Sequence, residues 1–296
     1  MAINAATNEP IKLPKVEAEA PRQERQYEQA QARRRLRMER KKLAGQSKVS
    51  GLAWTWSADM SQEISVANIY GLLKVANDYA LVWHRQDIAS LGKKFELKMD
   101  INKDTFGQPL MTIRISGLIS CDMNTLFKLL MDPERRTEWD MLIAGTEVRE
   151  EIDDHNSILW MAYPTMGQPG KTTDYSLLRT WRHDEDRYII SSRSVAHPTV
   201  PLNEDSKVTR GEVNPSGFVL TPWVMDDGLG RDDYQQQTSF DYLVQLDEKA
   251  QQMLGGKELL SSIGKLGGGA KAADSKFVQV MVGSIAKLCQ LVDANN

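Results

Sequence analysis

The sequence predicts an α+β domain in which a long antiparallel sheet is flanked by helices. Three observations carry that expectation. A run of strand patterns between residues 146 and 246 leaves no room for the crossovers that parallel pairing requires. Within it, period-two alternation is broken by turn-forming residues. Helical periodicity is confined to stretches before and after the run. At 296 residues, 41% apolar and 26% charged, the chain can bury one large core and falls in the range of soluble globular proteins.

Taken in order, residues 1–21 hold three prolines and no period, which predicts loop or disorder. RQERQYEQAQARRRLRMERKKLAG (22–45) is built of strong helix formers and ends at Gly45. Its Tyr27, Leu36, Met38 and Leu43 form no apolar stripe, so this helix is either solvated or docks on a protein partner or an anionic surface. Residues 1–50 carry 12 basic and 6 acidic groups, against 25 and 34 in residues 51–296. That asymmetry predicts a basic arm (1–50) attached to an acidic globular domain (51–296).

In residues 62–91, Ile64, Ala67, Leu72, Val75, Tyr79 and Val82 fall near helical spacing and predict a first packed helix. Residues 93–101 and 109–119 alternate on either side of Gly107 and Pro109, a hairpin pattern. MNTLFKLLMD (123–132) reads as a short helix stopped by Pro133. Strands follow at 146–152, 156–163, 174–182, 187–195, 208–213, 217–223 and 237–246. The last helix, 274–292, carries Phe277, Val280, Met281, Ile285 and Leu288 on one broad face. It is the expected cover for the apolar face of a sheet whose other face is polar.

Several functions are set aside on sequence grounds. Cys121 and Cys289 are far apart and have no metal-ligand companions, so neither a disulfide framework nor a zinc site is indicated. No apolar run is long enough to span a bilayer, and the start of the chain reads as neither signal nor transit peptide. The expected setting is cytoplasmic. GKTT (170–173) lacks the earlier glycine of a phosphate loop and runs into a strand, not a helix. GGKELLSSIGKLGGG (255–269) fails the same pattern and reads as a flexible connector. His84, His155, His183 and His197 have no mutual ligand spacing, and the aspartates of MDDGLGRDD do not match a calcium loop. No metal, cofactor or nucleic acid is expected.

The strand at 174–182 carries Tyr175, Leu177, Arg179 and Trp181 on its apolar face, which turns a guanidinium inward. Phe240 and Tyr242 share the apolar face of 237–246, and Ile158, Trp160 and Ala162 share a face of 156–163. An unpaired buried charge costs several kcal/mol, so Arg179 must meet a protein carboxylate, a water cluster or a bound anion. Arg193, on the face of Ile189, Ser191 and Val195, is a weaker inward case.

At this point the order of motifs resembles the START family of lipid-transfer domains. The stretches are RRTEWD (135–140), TTDYSLLR (172–179), RYIISSRSVAHPTVP (187–201), VTRGEVNPSGFVLTP (208–222) and TSFDYLVQLD (238–247), followed by a C-terminal helix. The resemblance implies a helix-grip fold: a curved antiparallel sheet around a long C-terminal helix, with a tunnel for one lipid. Two positions depart from the family pattern. Its Arg-Asp pair is here Thr173 with Asp174, and the pocket acid of sterol binders aligns with Trp160. ILWMAYPTMGQPGKTTDYSLLR is closer to the phosphatidylcholine-transfer subgroup. Arginine suits phosphate and aromatic faces suit a quaternary ammonium.

The expectation is therefore a non-enzymatic lipid carrier, peripheral to membranes, that favours phospholipid over sterol. Its expected ligand-binding residues are Trp160, Tyr175, Arg179, Trp181, Arg193, Phe240, Tyr242 and Met281, under a lid made by the 196–207 loop and the last helix. The alternative is an accessory subunit that docks in an assembly through its arm.

Overall fold

The computed structural model describes residues 2–3, 10–11, 54–55, 58, 61–88, 95–102, 111–166, 168–184, 186–223, 237–246 and 276–294. The arm helix expected at 22–45, the turn at Gly107, the MDDGLGRDD loop and the 255–269 connector lie outside these residues. Within 1–21, where loop was expected, Ala2–Ile3 (β1) pairs with Pro10–Ile11 (β2).

Nine strands form a continuous antiparallel path. They are β4 (His84–Gln86), β5 (Lys98–Asn102), β6 (Met111–Ile119), β7 (Gly145–Asp153), β8 (Asn156–Pro164), β9 (Thr172–Asp184), β10 (Arg187–Ala196), β12 (Ser216–Trp223) and β13 (Gln237–Leu246), in the order β4-β5-β6-β13-β12-β10-β9-β8-β7. Two short strands add parallel pairs at the margins: β3 (Trp54–Thr55) on β10 and β11 (Val208–Arg210) on β9. The helices are α1 (Ser61–Ala76), α2 (Met123–Met131), α3 (Arg136–Trp139) and α4 (Lys276–Asp293). This is the α+β helix-grip arrangement: α4 packs its Phe277, Val278, Met281, Ile285 and Leu288 against Ile190, Phe218, Leu220 and Phe240 of the sheet in one core.

The second face of the sheet is not polar, contrary to expectation. α1 covers it, seating Ile64 and Ala67 on Ile158, Leu178 and Val195, and Ile69, Leu72 and Val75 on Ile189, Val219 and Leu243. The middle of β9 is consequently buried on both faces, from Thr173 to Thr180. A polar residue fixes this docking. Asn68, fully buried on α1, donates from Nδ2 to the carbonyls of Leu178 (3.2 Å) and Ser191 (2.9 Å) and accepts the Ser191 hydroxyl at 2.8 Å. A buried amide satisfied on both sides specifies one register of helix on sheet.

α1 also stops earlier than the 62–91 pattern suggests. Asp78 closes a turn by accepting the Ala80 amide at 2.9 Å, Tyr79 and Val82 are exposed, and His84–Gln86 becomes the edge strand. The Asn-Asp pair at 77–78 is a turn former that outweighs the helical spacing of two apolar residues beyond it.

α2 begins at an aspartate cap. The Asp122 carboxylate accepts the amides of Asn124 (2.9 Å) and Thr125 (3.0 Å) and also the Thr125 hydroxyl. Asp122→Ala should cost about 1 kcal/mol in a denaturant titration at neutral pH. The Thr125 hydroxyl, ahead of the two amides, holds the Asp122 carboxyl below its ordinary value. A depressed carboxyl stabilises above its unfolded pKa and ceases to do so as pH falls through the folded one. The gap between wild type and variant should therefore close on acidification, and a gap that persists at low pH would assign it to something other than the charged cap.

Candidate functional site

The inner face of the sheet, α3 and α4 surround a cavity of about 190 Å³. β8 contributes Leu159, Met161 and Tyr163, β9 Thr173, Tyr175, Leu177 and Arg179, β13 Tyr242, Val244 and Leu246, and α4 Phe277, Met281, Ser284 and Ile285. The lining is mostly apolar, and its arginines mark two polar centres.

The first is Arg179. It is 7% exposed, donates from Nε to the Ser157 hydroxyl (3.1 Å) and from Nη1 to the Met131 carbonyl (2.7 Å). Among the described residues no carboxylate lies within ion-pair distance of it. Burial pushes its pKa down, against the attraction of the more distant Glu151. The carboxylate partner that the sequence left open as an alternative is not present among these residues.

The second lies on α3. Arg136 and Asp140, one helical turn apart, pair at 2.9 Å, and the guanidinium stacks 4.3 Å from the centre of the Trp139 ring. The Tyr163 hydroxyl donates to Asp140 Oδ2 at 3.2 Å, and the Leu142 amide donates to Oδ1 at 3.2 Å. Burial, then the Asp140 charge, pushes the Tyr163 phenol well above its ordinary pKa. Burial does the same for Tyr242. Both phenols stay protonated at neutral pH and can donate. Burial opposes the charge on Arg136, but Tyr163, Asp140 and Tyr242 together hold its pKa above the ordinary value.

Of the expected ligand-binding residues, the structure brings Tyr175, Arg179, Tyr242 and Met281 to the cavity. Trp160 and Arg193 do not reach it. Trp160 packs with Ile158 in the cluster beneath α1, and its Nε1 donates to Asp174 at 3.4 Å. Arg193 is buried on a strand position paired with Leu178, which faces α1. Trp181 and Phe240 lie on the inner face but outside the cavity: Trp181 stacks near Phe127 (4.9 Å) and His155 (4.4 Å), and Phe240 is sealed in the core beside Gly117.

The lid expected from the 196–207 loop is also corrected. Val200 is buried with Ile64 and Ala67 on the outer face, and Arg210 holds the loop there through the carbonyls of Val200 (3.2 Å) and Pro201 (2.8 Å). Arg210 in turn forks onto buried Asp174 with two contacts of 2.9 Å. Asp174, which lacks the family's preceding arginine, thus finds its cation on the directly paired strand β11. The segments bordering the cavity are instead Pro164–Met166, the residues after α3, and α4. α4 is latched by the Met141 amide donating to Ser284 Oγ at 3.0 Å.

Comparison with known proteins bears on the site's use. The START domain family model matches residues 93–268. Mouse acyl-coenzyme A thioesterase 11 is 27% identical over 243 residues, 80% of this chain and 38% of that protein. Human StAR-related lipid transfer protein 7, mitochondrial, is 26% identical over 55% of this chain and 44% of its own length. The chain thus spans less than half the length of these curated relatives. Among solved structures, human StAR-related lipid transfer protein 5 superposes with a TM-score of 0.59 at 16% identity, covering 81% of this chain and 99% of that one. The expectation of a non-enzyme is overturned by the thioesterase relatives, which also include mouse acetyl-coenzyme A thioesterase, 24% identical over 71% of this chain. The absence of a catalytic motif from a stretch matching about two fifths of an enzyme does not separate carrier from enzyme.

Proposed function

The chain belongs to the START domain family, and on that premise we propose that it binds one lipid in the cavity between sheet and α4 and moves it between membranes. The anionic headgroup sits on Arg179, and the hydrocarbon lies among Leu159, Met161, Leu177 and Ile285. One observation carries the reading: a buried guanidinium that pairs with no carboxylate among the described residues faces a mostly apolar cavity. Such a charge is costly until an anion meets it, and a guanidinium binds phosphate or carboxylate through two parallel hydrogen bonds. A neutral sterol hydroxyl would leave the charge uncompensated, which favours a phospholipid or another charged lipid. Mass spectrometry of organic extracts from protein incubated with mixed vesicles should recover about one charged lipid per chain. Recovery of none, or of sterol alone, would end this reading.

Exchange requires α4 to part from the segment after α3. A Cβ on Gly283 would lie 3.2 Å from the Met141 sulfur, so cysteines introduced at Met141 and Gly283 sit on facing segments that a short disulfide-containing thiol crosslinker ties together. The intact crosslink should halt lipid exchange between vesicles and reduction should restore it. Equal exchange in both states, with the bridge confirmed by mass, would put the gate elsewhere.

The thioesterase relatives favour a second reading, in which the cavity holds the acyl chain of a thioester that water cleaves to a carboxylic acid and a thiol. Release of free thiol from palmitoyl-coenzyme A, followed with a thiol reagent, tests it. A rate no faster than without protein would exclude hydrolysis by this chain alone.

A further inference from the structure

We infer that Gly211 sets how far a lipid tail reaches into the cavity: having no side chain, it lets the Tyr175 ring lie back against the chain after β11, and any larger residue there would push the ring across the tail's path. The inference rests on the lipid-binding reading above and concerns the length of tail that is accepted.

The wall is ordered along β9. Arg179 pairs across to Ser157, Leu177 to Leu159, Tyr175 to Met161 and Thr173 to Tyr163, and all of these but Ser157 line the cavity. Tyr175 stands four residues from Arg179, roughly 13 Å at the rise of a strand. Thr173 and Thr165, joined through their hydroxyls at 2.8 Å, line the cavity beyond it. A tail whose anion sits on Arg179 therefore meets Tyr175 partway, and only a long tail has to pass it.

Gly211 is held in place from both sides. Its amide donates to the Asp174 carbonyl at 2.8 Å, β11 pairs with Thr172–Asp174 just before it, and Arg210 forks onto Asp174 with two contacts of 2.9 Å. Two residues on, the Val213 amide donates to Ser194 Oγ at 2.8 Å and the Ser194 amide to the Val213 carbonyl at 2.9 Å. The segment thus bridges β9 to β10 where those strands have separated, their own ladder ending at Leu177 with Ser194.

A Cβ at Gly211 would lie 2.4 Å from Cε1 and 2.7 Å from Cζ of Tyr175, and 2.7 Å from Cγ2 of Thr173. Contacts this short force something to move. The backbone of Gly211 is not in the left-handed region, so its glycine answers a lack of room and not a need for conformational freedom. The pinned backbone cannot give cheaply, whereas the Tyr175 side chain can turn. Tyr163 stands edge-on to the ring at 5.8 Å, and the space open beside it is the cavity.

Displacement of a fluorescent lipid from the full chain, with native mass spectrometry for stoichiometry, is read with dioctanoyl and dioleoyl phosphatidic acid, which share a head and differ in tail length. Wild type should bind both; dioctanoyl alone would overturn the inference. Gly211→Ala should hold dioctanoyl within about twofold and weaken dioleoyl about tenfold, the scale on which overpacking a filled site acts. Tyr175→Leu added to Gly211→Ala should bring dioleoyl back, because the smaller side chain leaves room for the new methyl. That rescue separates a blocked path from general damage. Equal weakening of both lipids, weakening of neither, or no rescue would overturn the inference. Should Gly211→Ala not fold, Tyr175→Trp enlarges the ring without touching Gly211 and should weaken dioleoyl alone; weakening of neither lipid, or of both equally, would again overturn it. Wild type binding neither lipid would overturn the lipid-binding reading itself.

Discussion

Replacing Arg179 by leucine should reduce binding and vesicle-to-vesicle transfer of an anionic lipid by roughly ten- to a hundredfold, the loss of a hydrogen bond to a charged group worth about 1.5–3 kcal/mol. The protein should remain folded. Leucine removes a desolvated charge whose hydrogen-bond partners among the described residues are Ser157 Oγ and the Met131 carbonyl, so the cost of two orphaned acceptors is offset by the burial energy recovered. Thermal unfolding is expected within a few degrees of wild type. Arg179→Lys separates charge from geometry: it keeps the cation but not the planar fork, and should restore only part of the affinity. Unchanged transfer by the leucine variant would remove Arg179 from the headgroup site and leave its charge as a structural oddity.

That residue was readable from sequence because one strand face held Tyr175, Leu177 and Arg179 in a row, and β9 kept that alternation in the structure. The same reasoning failed on β8. There Ile158, Trp160 and Ala162 formed the more apolar set, but Leu159, Met161 and Tyr163 face the cavity. Alternation identifies an inner face only when the other face is wet. α1 keeps Ile158 dry, so both sets of β8 are packed, and a shift of one residue exchanges every side chain between faces. Asn68 could have warned of this, being an amide in the middle of an otherwise apolar helix face.

The strands at 145–164 and 172–196 were legible because two residues connect β7 to β8 and β9 to β10, whereas the strand expected at 208–213 shrinks to Val208–Arg210. The cavity's second polar centre was visible only as letters in RRTEWD. Its meaning depends on α3 being a single helical turn, which sets Arg136 and Asp140 together, and on Tyr163 arriving from a strand 23 residues away. The pairing of Asp174 with Arg210 was likewise hidden, since 36 residues separate them and only the β9–β11 register brings them into contact.

The largest stability effect is expected at Asp140. Its carboxylate takes two contacts of 2.9–3.0 Å from Arg136, the Tyr163 hydroxyl and the Leu142 amide. Asp140→Asn keeps the shape but strands the Arg136 cation against an uncharged amide whose own N–H groups compete for the same space. Breaking one side of a buried pair costs about 3–5 kcal/mol, and the low end applies because Arg136 is 19% exposed toward the cavity. For a domain of this size about 3 kcal/mol corresponds to a fall in Tm of roughly 6–12 °C. Removing both charges, as Arg136→Met with Asp140→Leu, should recover most of that loss, because neither ion then remains to be desolvated. Chemical denaturation of the wild type, Arg136→Met, Asp140→Leu and the double variant closes the cycle. A double variant as unstable as Asp140→Asn would show that the carboxylate acts through Tyr163 and the Leu142 amide, holding the turn after α3, and not through Arg136.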